Sequence, residues 1–256
     1  MSDFLLEIRE LSRSFGGLKA VNDVSFTVRA DSIKSVIGPN GAGKTTLFNL
    51  ISGMLPCDSG SILQKGREIT GFQPHRIAAL GLSRTFQTTK LFSRMTVLEN
   101  VMVGRHTRTR AGFLSGVLSL PWSWREEREI RERSMRLLDT LGLAGAAAEL
   151  ASNLPFGRQR LLEIARALAT EPSLLLLDEP AAGLNIYETR EMADLVLKIR
   201  GWGVTVLLVE HDMSLVMDIS DEIAVLNYGR KVAEGEPAAI QRDPEVIRIY
   251  LGGDHA

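Results

Sequence analysis

The chain has 256 residues, of which 45% are hydrophobic and 24% charged, and 30 basic against 31 acidic side chains leave a formal net charge of −1. That is an ordinary globular composition, long enough for a large core, with no global field that would draw it to nucleic acid. One cysteine, Cys57, excludes an internal disulfide and a zinc cluster, which suits a reducing compartment. The opening MSDFLLEIRE lacks a basic region ahead of a long apolar core, so it does not read as a signal peptide. No run approaches the ~20 apolar residues of a spanning helix, so work at a membrane would mean docking on another protein.

Residues 4–30 read as antiparallel β, with Leu5, Ile8 and Leu11 marking a first strand and Val24 to Val28 alternating as a second. Ser14-Phe15-Gly16-Gly17 between them is a turn, and on position alone Phe15 is an ordinary core or turn aromatic. Ile33 to Ile37 is a short buried strand. Gly38-Pro39-Asn40-Gly41-Ala42-Gly43-Lys44-Thr45 then fits G-x-x-x-x-G-K-S/T, and an apolar helical start, Thr46 to Ile51, follows. The physical reading is a phosphate cradle. Gly38, Gly41 and Gly43 allow positive φ and turn backbone N–H groups inward. The helix opening at Lys44 aims its positive dipole end at the same place. Lys44 would reach the β- and γ-phosphates, and the Thr45 hydroxyl would bind Mg²⁺.

Residues 59–62 and 66–69 suggest an antiparallel hairpin, 72–80 a short helix ended by Gly81, and 82–86 a strand ending at Gln87. Residues 88–96 read as an exposed loop and 97–150 as helical. Within that span the apolar stretch AGFLSGVLSLPWSW, 111–124, reads as a small satellite core or a partner-facing patch. Residues 125–138 form a charged helix with Glu127/Arg131, Glu129/Arg133 and Glu132/Arg136 at i,i+4, a solvated face. LPFGRQRLLEIARALA, 154–169, is a turn followed by an amphipathic helix. Leu174 to Leu177 is a buried strand that exits at Asp178-Glu179-Pro180. Two carboxylates there are costly unless used for metal binding or base chemistry. A helix from Ile186 to Arg200 precedes the strand 204–209, which ends at Glu210-His211-Asp212. His211 therefore sits at the same sheet edge as Gly38 and Asp178, where open parallel sheets bind ligands. A short helix, 213–220, a hairpin at 223–234 and a helical tail close the chain.

Together these motifs resemble the ATP-binding cassette (ABC) ATPases over nearly the whole chain. The resemblance implies an α/β P-loop NTPase core with a mainly parallel sheet, an antiparallel β subdomain and a helical subdomain. It implies one cassette over 1–256, with lobes of 1–86 plus 171–256 and of 87–170. Gly38 to Thr45 corresponds to the Walker A loop, and with Thr46 would hold ATP. Leu174 to Asp178 corresponds to Walker B, with Glu179 as the catalytic carboxylate, His211 as the switch histidine and 181–185 as the D-loop. Phe15 matches the aromatic that stacks on adenine. Gln87 matches the Q-loop glutamine, which with Thr45 and Asp178 would hold Mg²⁺. Leu154, Pro155, Phe156, Gly157 and Arg158 align with the signature that acts on the ATP of an opposite subunit. There the family's serine is Pro155, its first glycine Phe156 and its first glutamine Arg158, so the lid offered to the partner site would be weakened.

Finer features resemble the ATPases of branched-chain amino-acid importers, specifically the insertion-bearing one of the two. These are Asp-Glu-Pro-Ala-Ala-Gly-Leu-Asn at 178–185, Glu210-His211-Asp212-Met213, Gly112 to Gly116 within an insertion at 105–130, and Tyr250-Leu251-Gly252. Urea, amide and lipopolysaccharide-transport ATPases share much of this. The implied partners are a second ATPase subunit, identical or not, two membrane permeases and, indirectly, a solute-binding protein. The implied place is the cytoplasmic face of the inner membrane. The competing classes are a soluble ABC protein working on nucleic acid or ribosomes, and a regulatory subunit that binds nucleotide without hydrolysis. One cassette without a basic stretch or coiled-coil insertion speaks against the first, and intact Glu179 and His211 against the second.

Overall fold

The computed structural model describes residues 4–85, 91–106 and 121–251, with the side chains of His106, 121–124 and Leu251 outside the description. The expectations at Phe86, Gln87, Gly112 to Gly116, the side chains of Trp122 and Trp124, and Gly252 lie outside it. The described strands are β1 (Phe4–Phe15), β2 (Leu18–Arg29), β3 (Ile33–Ile37), β4 (Ser59–Gln64), β5 (Arg67–Glu68), β6 (Leu82–Arg84), β7 (Leu174–Asp178), β8 (Thr205–Val209), β9 (Glu222–Asn227) and β10 (Arg230–Gly235). The chain divides into two compact units, Met1–Ile77 with Ser173–Ala256, and Ala78–Pro172.

The first unit holds two sheets. One is antiparallel, in the order β2-β1-β4-β5. Its leading strand explains an oddity of the sequence, since Leu5, Ile8 and Leu11 recur every three residues and not every two. The β1–β2 register slips between Ile8 and Leu11, and Glu10 takes φ 49 there. This bulge accounts for the three-residue step from Ile8 to Leu11, whereas Leu5 and Ile8 are joined by regular ladder and are buried on opposite faces of the strand. The Glu10 N–H displaced from the ladder donates to Ser25 Oγ at 2.7 Å.

The second sheet is the one that positions the site. Its strands in this unit run β10-β9-β3-β8-β7, with β9, β3, β8 and β7 parallel and β10 antiparallel to β9. β3, β7 and β8 are buried at every residue, as strands covered on both faces must be. Lys34 inside β3 is also buried, and its Nζ donates to Thr27 O (2.8 Å) and Glu222 Oε2 (2.7 Å) and pairs with Glu234.

In the second unit, helices Val97–His106, Pro121–Thr140 and Phe156–Leu168 enclose a core of Val97, Val101, Leu138, Leu143, Leu162 and Ala165. The expected helical span 97–150 does not run through. Gly142 at φ 70 ends the second helix, and the Leu143 N–H turns back to Leu138 O at 2.7 Å, a Schellman closure. Two single 3₁₀ turns, Ala144–Ala146 and Ala151–Asn153, follow it. In the charged helix the expected Glu129–Arg133 pair forms, and Arg128 pairs with Glu132.

Gly104 is where the first and third of these helices meet. A Cβ there would lie 2.2 Å from Arg166 O and 3.1 Å from the Ala169 methyl. Gly104→Ala therefore forces the helices apart, and overpacking of this kind costs roughly 1–3 kcal/mol. Guanidinium titration is expected to give a midpoint lowered accordingly, with the m-value unchanged.

Candidate active site

β3 delivers the chain into the phosphate-type loop, and helix Lys44–Ile51 takes it out. Gly38 has φ 150 and Gly43 has φ 102. A Cβ at Gly38 would stand 2.1 Å from Leu226 O, and one at Gly43 2.2 Å from Ala20 O. The loop is thus fenced by the end of β9 on one side and by β2 on the other, and only glycine fits either post. The fence is hydrogen-bonded as well: Gly229 N–H donates to Ala42 O (2.9 Å), and Asn22 N–H donates to Gly229 O (2.7 Å). Asn40 and Thr45 are exposed, while Ala42 and Lys44 are buried. The Lys44 ammonium donates to Gly38 O at 2.6 Å and Pro39 O at 3.1 Å. Burial pulls its pKa down, against the opposing pull of the Glu179 and Asp178 carboxylates.

β7 and β8 bring the acidic groups to the same edge. Asp178 pairs with Val209 across the ladder and is buried. Glu179 leaves the strand at φ 51, its N–H bound to Val209 O at 2.9 Å. Its Oε1 lies 2.5 Å from His211 Nε2, so the two residues expected from separate motifs are in direct contact. The His211 ring is 42% exposed and the Glu179 side chain 10%, which leaves the pair open on the histidine side. Asp212 caps the following helix, Met213–Ile219, by accepting from Ser214 and Leu215 N–H.

Phe15 stands at the tip of the β1–β2 hairpin, 45% exposed, with the Arg13 guanidinium 5.2 Å from its ring centre. Arg13 is held in turn by Asp58 at 2.8 Å. In the second unit, Leu154 is buried and Pro155 stands at the N-cap of helix Phe156–Leu168, with no side-chain cap. Phe156 is 47% exposed, with the Arg160 guanidinium 5.2 Å from its ring centre. Gln159 Nε2 returns to Leu154 O at 2.9 Å. Gly157 and Arg158 lie in the first turn. Gln87 is outside the described residues.

For Mg²⁺, the donor set at hand is a hydroxyl, Thr45, and a carboxylate, Asp178, on neighbouring elements. Hard oxygen donors of this kind suit an ion that keeps waters and leans on phosphate oxygens. Among the described residues, no group of three His, Cys, Asp or Glu side chains forms a metal cage.

Two further residues bear on this edge although the sequence assigns them no part. Tyr250, on helix Pro244–Leu251, has its hydroxyl hydrogen-bonded to the Gly38 backbone, and burial pushes its pKa up to about 12. Glu210 is 3% exposed between β8 and His211. The only sequence signal for either is its place in a run already noted, Tyr250-Leu251-Gly252 and Glu210-His211-Asp212.

A buried parallel sheet whose first strand feeds a glycine-fenced loop and a lysine-led helix, with Asp, Glu and His on the adjacent strand ends, defines a P-loop ATPase. A family described as "ABC transporter" matches residues 21–182, and one described as "Branched-chain amino acid ATP-binding cassette transporter" matches 230–256. The chain is 47% identical over 253 residues to the high-affinity branched-chain amino acid transport ATP-binding protein LivG of Salmonella typhimurium, covering 98% of this chain and 99% of the relative. The BraF protein of Pseudomonas aeruginosa, with the same description, is also 47% identical at the same coverage. Among solved structures, an ATP-binding cassette of an ABC transporter in its ADP conformation superposes with a TM-score of 0.85 at 33% identity, over 98% of this chain and 100% of that one. The chain belongs to the ABC transporter family, as its nucleotide-binding, ATP-hydrolysing subunit.

Gly43→Ala tests the fence. A non-glycine residue held at such a φ costs of order 1–3 kcal/mol, and relief by moving the loop is expected to weaken ATP about tenfold or more. Titration with a fluorescent ATP analogue reads the loss directly.

Proposed function

We propose that this chain is the ATP-hydrolysing motor of a branched-chain amino acid importer, assembled with a second ATPase subunit, identical or not, and two membrane permeases. A solute-binding protein is the indirect partner, and nucleic acid is not one. The observation that carries the motor reading is that the loop from β3 to Lys44 opens at the same sheet edge as Asp178, Glu179 and His211, which lie at the ends of the neighbouring strands. The cargo is inferred from relatives named for branched-chain amino acid transport and from the family matched at 230–256. Among the described residues no helix is long and apolar enough to cross a membrane, so the permeases would hold this chain at the cytoplasmic face. We take 1–256 as one cassette, its lobes being 1–86 with 171–256, and 87–170.

In this reading the amides from Gly38 to Thr46, with Asn40, Gly41, Ala42 and Gly43, cradle the phosphates, and the Lys44 ammonium leaves its own loop carbonyls for the β- and γ-oxygens. Phe15 stacks on the adenine, its ring held by Arg13. Thr45, Gln87 and Asp178 hold Mg²⁺, which when bound neutralises charge on the phosphate oxygens. Glu179 orients the attacking water and accepts its proton, and His211, already in contact with that carboxylate, faces the γ-phosphate. Leu154 to Arg158 act on the nucleotide of the opposite subunit, where Pro155 brings neither hydroxyl nor backbone N–H.

Two experiments test this. Glu179→Gln is expected to lower kcat about 10²–10⁴-fold while ATP still binds; parental hydrolysis would remove Glu179 from the role. In the complex reassembled with its permeases, Pro155→Ser is expected to raise turnover at the partner's site. Unchanged turnover there would mean that the proline is no handicap.

A further inference from the structure

Glu210 lies between the strand end that leads to His211 and the turn that follows Glu179. Each of its carboxylate oxygens serves a different segment. Oε1 accepts the Ala181 N–H at 2.8 Å, and Oε2 accepts the His211 N–H at 2.9 Å. The Asp212 amide adds a third donor. Across the same gap, Glu179 Oε1 meets His211 Nε2 at 2.5 Å. Glu179, the turn to Ala181, Glu210 and His211 therefore close a ring, and two of the bonds in it belong to the Glu210 carboxylate.

The ring has a physical reason. Glu179 sits at φ 51, a backbone state that a non-glycine residue keeps only when its surroundings hold it. The Ala182 N–H reaching Glu179 O at 3.1 Å makes the turn, but that bond is internal to it. The Val209 carbonyl anchors the start of the turn and Glu210 anchors its middle. A buried carboxylate is a costly anchor. Burial and the nearby Glu179 charge push the Glu210 pKa up, and the three backbone donors pull it back. An apolar residue of the same volume would avoid that cost. What only a carboxylate adds is two acceptors at fixed spacing, facing two segments at once.

We propose that Glu210 is a positioning residue for ATP hydrolysis, its carboxylate holding the Glu179 turn and the His211 loop in one fixed relation. The inference rests on the reading of Glu179 and His211 as the groups that act on the γ-phosphate and its attacking water. Glu210 acts through the backbone of the Glu179 turn and of His211.

The test is steady-state Mg·ATP hydrolysis by the full-length chain carrying Glu210→Gln, with thermal denaturation and ATP-analogue binding on the same samples. Glutamine keeps the volume but offers one acceptor and turns an NH₂ toward a backbone N–H. The expected result is a kcat lowered roughly 10- to 100-fold, with KM for ATP within about threefold of the parent. Combined with His211→Ala, the loss is expected to be less than multiplicative, as for groups acting as one unit. Where the glutamine variant fails to fold, Glu210→Met removes the charge without misdirecting an amide, and the same kcat loss is expected. A kcat within about twofold of the parent overturns the proposal, as does a loss that appears in KM alone. So does a loss fully accounted for by a lower folded fraction. Glu179→Gln is run in parallel: parental turnover there defeats the site reading itself, whereas an inactive Glu179→Gln beside a parental Glu210→Gln defeats only the role of Glu210.

Discussion

The site depends on the register of three parallel strands. Val36 on β3 pairs with Val209 on β8, and Val209 pairs with Asp178 on β7, so these residues form one line across the sheet. Gly38 lies two residues beyond that line, Glu179 one and His211 two. The loop and the acid–histidine pair are therefore spaced by the ladder itself. All three strands are buried at every position. A slip of one residue would reverse the side chains of a strand packed on both faces, and the core resists it. The precision of the polar edge is inherited from an apolar core with no chemistry of its own.

Lys34 adds a polar lock to the same ladder. A lysine in the middle of a buried strand is expensive unless its charge and donors are met. Here the ammonium takes the Thr27 carbonyl of β2, Glu222 of β9 and Glu234 of β10, and lies 5.2 Å from the Phe26 ring centre. These contacts tie β3 to the strand whose Leu226 carbonyl fences Gly38. One buried cation thus joins the β9–β10 hairpin to the first strand of the site.

Much of this was legible because the loop and the strand exits combine local pattern with chemistry that has few other uses. Glycine at two crowded, positive-φ posts, a lysine at a helix start, and carboxylates ending a four-leucine run all leave marks in the sequence. The β1 bulge left a mark too, in the three-residue step from Ile8 to Leu11, but one such step names no element by itself. The break at Gly142 is hidden in the sequence because helical pattern flanks it within 97–150, and a single glycine reads as tolerated in such a span. Glu210 and Tyr250 could not be read, since their meaning lies in backbone groups far along the chain: Ala181 for one, Gly38 for the other. Hydrogen bonds to a backbone carry no residue preference at the far end, and so no sequence trace.

The signature stretch is where sequence and structure bear on different halves of one question. The sequence exposes what is missing, a hydroxyl and an N–H at Pro155. The structure exposes what remains, a helix start with no side-chain cap and no acidic residue in its first turn. The first amides of such a helix have no partner within it, and its dipole still points positive end outward. Arg158 in that turn adds a fixed cation where an acid would have stabilised the helix. Losing a serine cap costs a helix about 1 kcal/mol, and a cation at its N-terminus adds to the cost. Phe156 stacked under Arg160, and Gln159 returning to Leu154, are the contacts that hold this end in place instead. A helix end kept in this form is better suited to meeting an anion through amides and charge than through a hydroxyl.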